Sequence, residues 1–254
     1  RAAPGISAAP VRECLSVATL IDALREIVIA NRILAHEGVV DAFGHVSMRH
    51  PDNPGHYLVA RSRSPELVTM DDIMEFTLQG DVVGGDDRKP YAERHIHGGI
   101  YERRPDVLSV VHNHAHAIIP FSITQTPLRP VMHVTGVIGD RVPVWDIENK
   151  FGGTSLLVTN MDQARDLAET LGDERVVLMR GHGCAVAAGG IKEAVLTAIY
   201  TQVNAELQLQ AMPLGDVKYL SAAEIELTPE TLVGPLAMER AWEYFARRAM
   251  GDDF

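Results

Sequence analysis

The stretch Val107-Leu108-Ser109-Val110-Val111-His112-Asn113-His114 is an apolar run that ends in two histidines. Its first five residues read as a buried strand. Side chains two apart on a strand leave from the same face, so His112 and His114 are placed to chelate one cation. Upstream, a helix is predicted to begin near Glu93 and run to Arg103, because Pro105 then interrupts it. Downstream, Ala115 to Phe121 suits a further helix.

The rest of the chain alternates in the same way. Ser16 is placed to cap a helix whose apolar positions, Val17, Leu20, Ile21, Leu24, Ile27, Val28 and Leu34, follow a 3.6-residue period up to a stop at Gly38. Beyond Gly44 the pattern changes to short β-like runs, Val46–Met48, Tyr57–Ala60 and Met74–Leu78, broken by Pro51, Pro54, Gly55 and Pro65. Val142–Trp145, Val176–Met179 and Ala185–Ala188 are further strand candidates. Asn160 caps a helix that ends at Gly172, and Ile191 to Met212 forms a long one. One short helix, around Arg240 to Arg247, is expected in a C-terminal extension over 213–254. No repeat or low-complexity linker separates these pieces. The expectation is a single α/β domain over 1–254, with helices covering a largely antiparallel sheet and residues 1–14 as a flexible lead-in.

Composition narrows the function. The chain has 254 residues, 46% hydrophobic and 22% charged, which is ordinary globular material. A formal charge of −11 without clustered Lys and Arg argues against nucleic acid as a partner. No run of eighteen or more uncharged apolar residues suggests a membrane span. Cys14 and Cys184 are too few for a disulfide framework and suit a reducing compartment, so a cytoplasmic protein acting on a small molecule is expected.

The histidines carry the sharper signal. Six of the eleven, His95, His97, His112, His114, His116 and His133, fall within 39 residues, where about two would fall by chance. His182 stands between two glycines at a turn between strands, where little bulk blocks its approach to the ion held by His112 and His114. Taken alone, His-x-His also suits two solvated histidines at a strand end, and His116 reads as structural. His95 and His97, two apart, cannot share one helical face and read as helix-surface residues. Glu93 is an ordinary residue for the start of a helix. Beside a histidine cluster it is equally suited to acid–base work at a metal.

Three separated motifs together resemble the class II aldolase/adducin family over roughly Ser16 to Met212. They are Gly44-His45-Val46-Ser47-Met48-Arg49; the segment from Glu93 through His97, Tyr101, Arg104-Pro105-Asp106 and Val110 to His114; and Arg180-Gly181-His182-Gly183 followed by Glu193-Ala194. The resemblance implies that His112, His114 and His182 ligate a divalent cation, and that Glu93 ligates it or moves aside to shuttle a proton. It implies a central antiparallel sheet between helical layers and a homo-oligomer, with a tetramer favoured. Three imidazoles and a carboxylate suit zinc or manganese first, and iron or cobalt as well.

Departures from the family pattern select among reactions. Where the sugar-phosphate aldolases carry Ser-Ser before the glutamate, this chain has Tyr91-Ala92, and in an earlier loop it has Arg61-Ser62-Arg63-Ser64. No tyrosine stands between Tyr101 and Tyr200 to act as the aldolases' proton donor. Arg61 and Arg63 suit a carboxylate, since guanidinium matches it bidentately, although a solvated strand edge is the plainer reading. The segments Val142-Pro143-Val144-Trp145, Asn204-Ala205 and Leu214-Gly215-Asp216-Val217 look like the family's branch of hydroxyaromatic and hydroxypyridine carboxylate decarboxylases.

A metal-dependent lyase is therefore expected, with decarboxylation in aromatic catabolism first. In it Glu93, His45 or His133 protonates the carbon, and Arg61, Arg63, Ser62 and Tyr91 bind substrate. An aldolase, epimerase or dehydratase acting on a sugar phosphate, and a non-catalytic adducin-like module, are the alternatives. The tail around Trp242 and Phe245 is a candidate to close the pocket of a neighbouring subunit.

Overall fold

Apolar side chains alternate along the strands of this chain and recur with helical period on its helices, and they build two cores on the two faces of one sheet. The computed structural model describes residues 19–232 and 234–251. Helix α1 (Leu20–His36) starts at Thr19, whose hydroxyl accepts from the Asp22 amide in a capping box. The cap expected at Ser16 lies outside the described residues. Strands β1 (His45–Arg49), β2 (His56–Ala60) and β3 (Ile73–Thr77) follow, then α2 (His95–Arg103), β4 (Ser109–Asn113) and the short α3 (Ile119–Ser122). Next come β5 (Val144–Trp145), α4 (Glu148–Phe151), α5 (Met161–Leu171), β6 (Val176–Met179) and β7 (Gly183–Ala188). The long α6 (Ile191–Ala211) precedes α7 (Ala222–Leu232) and α8 (Pro235–Met250).

The sheet has seven strands in the order β3-β2-β1-β4-β7-β6-β5. Every pairing is antiparallel except β5 with β6. The expected α/β architecture, a largely antiparallel sheet covered by helices, is the one observed. One face packs Val46, Val111, Leu178 and Val186 against α1, α6 and α8; the other packs Val110, Val177, Met179 and Ala187 against α2 and α5. Adjacent residues of one strand thus enter different cores, and β4 and β7, covered on both sides, are buried throughout. Among the described residues no helix is long and apolar enough to cross a membrane.

Several element bounds differ from expectation. Strand β4 runs on to Asn113, so His112 lies within the sheet and only His114 lies beyond it. The C-terminal segment holds two helices rather than one short one. Trp242 and Phe245 do not reach outward: they are 5% and 8% exposed, buried in the chain's own core where α8 packs on α1. Their large apolar area gains more from that burial than it would at an exposed rim.

Candidate metal centre

Strand alternation decides which side chains meet. Val111 faces the α1 and α6 side, so His112 points to the opposite face, toward α2. On the neighbouring β1, His45 pairs with His112 and Ser47 with Val110, on that same face. The tight β6–β7 turn then brings His182 over the end of β4. Gly183 permits this approach, since a Cβ there would stand 2.1 Å from the Asn113 carbonyl oxygen and 2.9 Å from His114 Cδ2. Gly44, at φ +97°, has a similar task at the start of β1, where a Cβ would meet Val40 Cγ1 at 2.6 Å and the His112 carbonyl at 3.0 Å.

The result is a cluster of four. His112 Nε2 lies 3.0 Å from His114 Nε2, which lies 3.1 Å from His182 Nε2. Glu93 Oε2 is 3.5 Å from both His112 Nε2 and His182 Nε2. One ligand atom from each residue falls within 4.8 Å of all the others. The backs of two of the three rings are also held. His112 Nδ1 donates to the Cys184 carbonyl and His182 Nδ1 to the Leu156 carbonyl, both at 3.0 Å. A carbonyl only accepts, so both protons sit on Nδ1 and both Nε2 lone pairs face inward. Glu93 Oε1 accepts from the Val158 amide at 2.9 Å, which leaves Oε2 to the centre.

Electrostatics agree with this arrangement. Burial opposes ionisation of Glu93, but the His112 and His182 rings beside its Oε2 outweigh it and hold the carboxyl well below its ordinary range. Burial, with the neighbouring His112 and His182, pushes His114 down to about 4. Converging lone pairs and an ionised carboxylate are a donor set that a divalent transition metal satisfies and the chain's own protons cannot. The residues present therefore fit such a cation.

The remaining expected residues divide into two groups. His45 is close: its ring centroid is 5.1 Å from that of His112 and 4.5 Å from that of Tyr91. The Tyr91 hydroxyl donates to the Arg63 carbonyl, and burial pushes this phenol up to about 12. Arg61 and Arg63 sit just beyond the end of β2 and converge on one carboxylate, Asp72, with contacts of 2.7 and 2.8 Å. Their partner inside the chain is thus Asp72, which they and Thr69 hold ionised against the opposing effect of burial. Ser62 is exposed, with its amide bonded to the Lys89 carbonyl. His133 is exposed at the start of a 3-10 segment (His133–Ile138) that packs on α6 and α7, and it is not one of the clustered four.

His97 overturns the helix-surface reading. It is fully buried, because α2 lays His97 and Tyr101, four residues apart, against the sheet. That spacing was visible in the sequence and marks one helical face. Glu93 belongs to a 3-10 turn (Ala92–Arg94) before α2 rather than to the helix itself. The backbone groups of Leu156, Val158 and Cys184 that orient the ligands had no sequence signal, since any residue type carries them.

Comparison with known proteins agrees with this geometry. The profile of the Class II Aldolase and Adducin N-terminal domain matches residues 25–209. Decarboxylase tropJ of Talaromyces stipitatus is 34% identical, over 88% of this chain and 92% of its own length. The 3,4-dihydroxyphthalate decarboxylase of Arthrobacter keyseri is 31% identical, over 86% and 90%. Among solved structures, an aldolase II superfamily protein from Pseudomonas syringae superposes with a TM-score of 0.76 at 22% identity, over 96% of this chain and 98% of that one. The chain is an enzyme of the lyase type. With its sheet, its profile match and its decarboxylase relatives in agreement, it belongs to the class II aldolase and adducin family.

Proposed function

We propose that this lyase decarboxylates a hydroxy-substituted aromatic or heteroaromatic carboxylate, such as a dihydroxyphthalate or a hydroxypyridine dicarboxylate. The observation that carries the reading beyond similarity is the Arg61–Asp72–Arg63 group. Two guanidiniums share one carboxylate, so one positive charge is left over, and each arginine side chain is about a third exposed. That surplus suits a substrate carboxylate. Tyr91 links it to the centre, through its bond to the Arg63 carbonyl on one side and its contact with His45 on the other.

Glu93, His112, His114 and His182 would hold a divalent cation, zinc or manganese first, with iron or cobalt also suited to the donors. When bound, the cation supplies Lewis acidity toward a substrate oxygen. Arg61 and Arg63 orient the departing carboxylate, with Ser62 and Tyr91 at its edge. Glu93 accepts the substrate's hydroxyl proton and returns it to the ring carbon as carbon dioxide leaves, so that carboxylate and proton become carbon dioxide and a C–H bond. His45 and His133 are the other candidates for that proton; His133 would act at the site of a neighbouring copy in a homotetramer. The setting is cytoplasmic aromatic catabolism. The test is carbon dioxide release by the metal-loaded protein from 3,4-dihydroxyphthalate and hydroxypyridine dicarboxylates, with L-fuculose 1-phosphate cleavage measured alongside. No release from any of the carboxylates overturns the proposal, and cleavage of the phosphosugar replaces it with an aldolase.

A further inference from the structure

Four buried polar side chains beside the cluster form one line of hydrogen bonds. Tyr101 Oη lies 2.8 Å from Ser47 Oγ, Ser47 Oγ lies 2.6 Å from His97 Nδ1, and His97 Nε2 lies 2.6 Å from His45 Nδ1. Ser47 and His97 are fully enclosed, and Tyr101 and His45 are 1% and 4% exposed. Water is thus shut out of the interior links, and the protons must be arranged within the line itself.

Two kinds of arrangement satisfy all three contacts. In the first, His45 donates to His97 and His97 to Ser47, while Ser47 either donates to the phenol oxygen or accepts from it. The Tyr101 hydroxyl in one case, or the Ser47 hydroxyl in the other, then has no acceptor among the described residues, in a place where an unmade hydrogen bond is costly. In the second, Tyr101 donates to Ser47, Ser47 to His97 Nδ1, and His97 Nε2 to His45 Nδ1. Every donor within the line then has an acceptor. Burial also pushes the Tyr101 phenol up, so it keeps the proton this arrangement needs. The second arrangement fixes the far end: His45 accepts at Nδ1 and therefore carries its proton on Nε2. That Nε2 has no partner among the described residues and is not among their fully enclosed unpaired polar atoms, so it opens toward the space beside His112 and Tyr91.

We infer that His97, Ser47 and Tyr101 are positioning residues that lock His45 in its Nε2–H tautomer, so that it presents a neutral hydrogen-bond donor to an anionic oxygen of a ligand at the metal centre. The line positions His45 rather than relaying protons, because emptying it would leave a phenolate on buried Tyr101. The ligand's class rests on the decarboxylation reading; the tautomer does not.

The test is nitrogen-15 NMR of the histidine rings in the zinc-loaded full chain at neutral pH, with His45 assigned through His45→Gln. His45 should show a pyridine-type Nδ1 and a pyrrole-type Nε2. Ser47→Ala, which removes the link between Tyr101 and His97, should give a mixture of tautomers at His45, and Ser47→Thr should restore the single form. Oxalate, added until the His112 and His182 signals move, should shift the His45 Nε2–H resonance as that proton engages a carboxylate oxygen. A protonated Nδ1 at His45, an unchanged His45 in a folded Ser47→Ala chain, or an Nε2–H that ignores bound oxalate would each overturn the inference. The wild-type spectrum decides the tautomer even if Ser47→Ala does not fold. A wrong tautomer leaves decarboxylation standing, and absent carbon dioxide release leaves the tautomer standing.

Discussion

Replacing Gly183 with alanine should damage the metal centre more than the fold, and its neighbour Gly181 provides the control. At 183 the new Cβ would stand 2.1 Å from the Asn113 carbonyl oxygen, about 0.9 Å inside the 3.0 Å that real Cβ contacts keep, and 2.9 Å from His114 Cδ2. The obstructing atoms are a β4 backbone carbonyl and the ring of a ligand, so neither can swing away as the end of a flexible chain would. Overpacking of this kind destabilises by about 1–3 kcal/mol. Metal ligands tolerate displacements of only about 0.2 Å, so a shift several times larger at His114 or His182 should weaken zinc binding by at least roughly 10–100-fold. At 181 the nearest atom to a new Cβ is Ile123 Cγ2 at 3.8 Å, and the substitution meets only the strain of φ +62°. That strain is about 1–2 kcal/mol, with no clash against another segment of the chain. Zinc affinity by competition with a chromophoric chelator, and urea unfolding of the metal-free chain, separate the two effects. Equal zinc affinities for Gly181→Ala and Gly183→Ala would refute the reasoning.

Two further outcomes follow from the same contacts. Asp72→Ala leaves Arg61 and Arg63 facing each other without their shared carboxylate and removes the Thr69 bonds. With both arginines partly solvated the loss should be about 1–3 kcal/mol in urea unfolding, and an unchanged midpoint would show that the group is not a stable unit. The second outcome concerns pH. Burial, reinforced by nearby His112, pushes His97 down to about 3, while in the unfolded chain it titrates near its ordinary value of about 6.5. Between those values the unfolded state binds the extra proton. Stability of the metal-free chain is therefore full above about 6.5 and falls as pH is lowered toward 3, by up to about 1.4 kcal/mol per unit from this group. His97→Gln should flatten that slope between pH 7 and 5, where most carboxylates remain ionised, and an unaltered slope would contradict the assignment.

Most of the strands and helices were legible because their cause is local. Val176 to Met179 and Asn160 to Gly172 carry period and caps within a dozen residues, and the structure places β6 and α5 there. The candidate metal ligands were legible for a related reason. His112 and His114 share a short segment, and His182 is marked by its two glycines, so chemistry and spacing are both written along the chain. The C-terminal helices were read less well, since α7 and α8 draw their stability from packing on the His133–Ile138 segment and on α1, far away in sequence. Trp242 and Phe245 are the same case: two large apolar residues near a chain end look available for a partner until α1 covers them.

The amino-acid sequence by itself pointed to the alternation of helix and strand and to the family, and through that resemblance to the four-residue cluster. Periodicity and spaced motifs suffice for the first two. Tertiary structure alone decided the rest. It turned His97 from a surface residue into the middle of a buried hydrogen-bond line, paired Arg61 and Arg63 with Asp72, and supplied the Cys184, Leu156 and Val158 backbone groups that aim the ligands. The physical reason is that these bonds join residues from 9 to 72 apart in the chain, so they depend on which segments become neighbours, and that is a property of the assembled sheet.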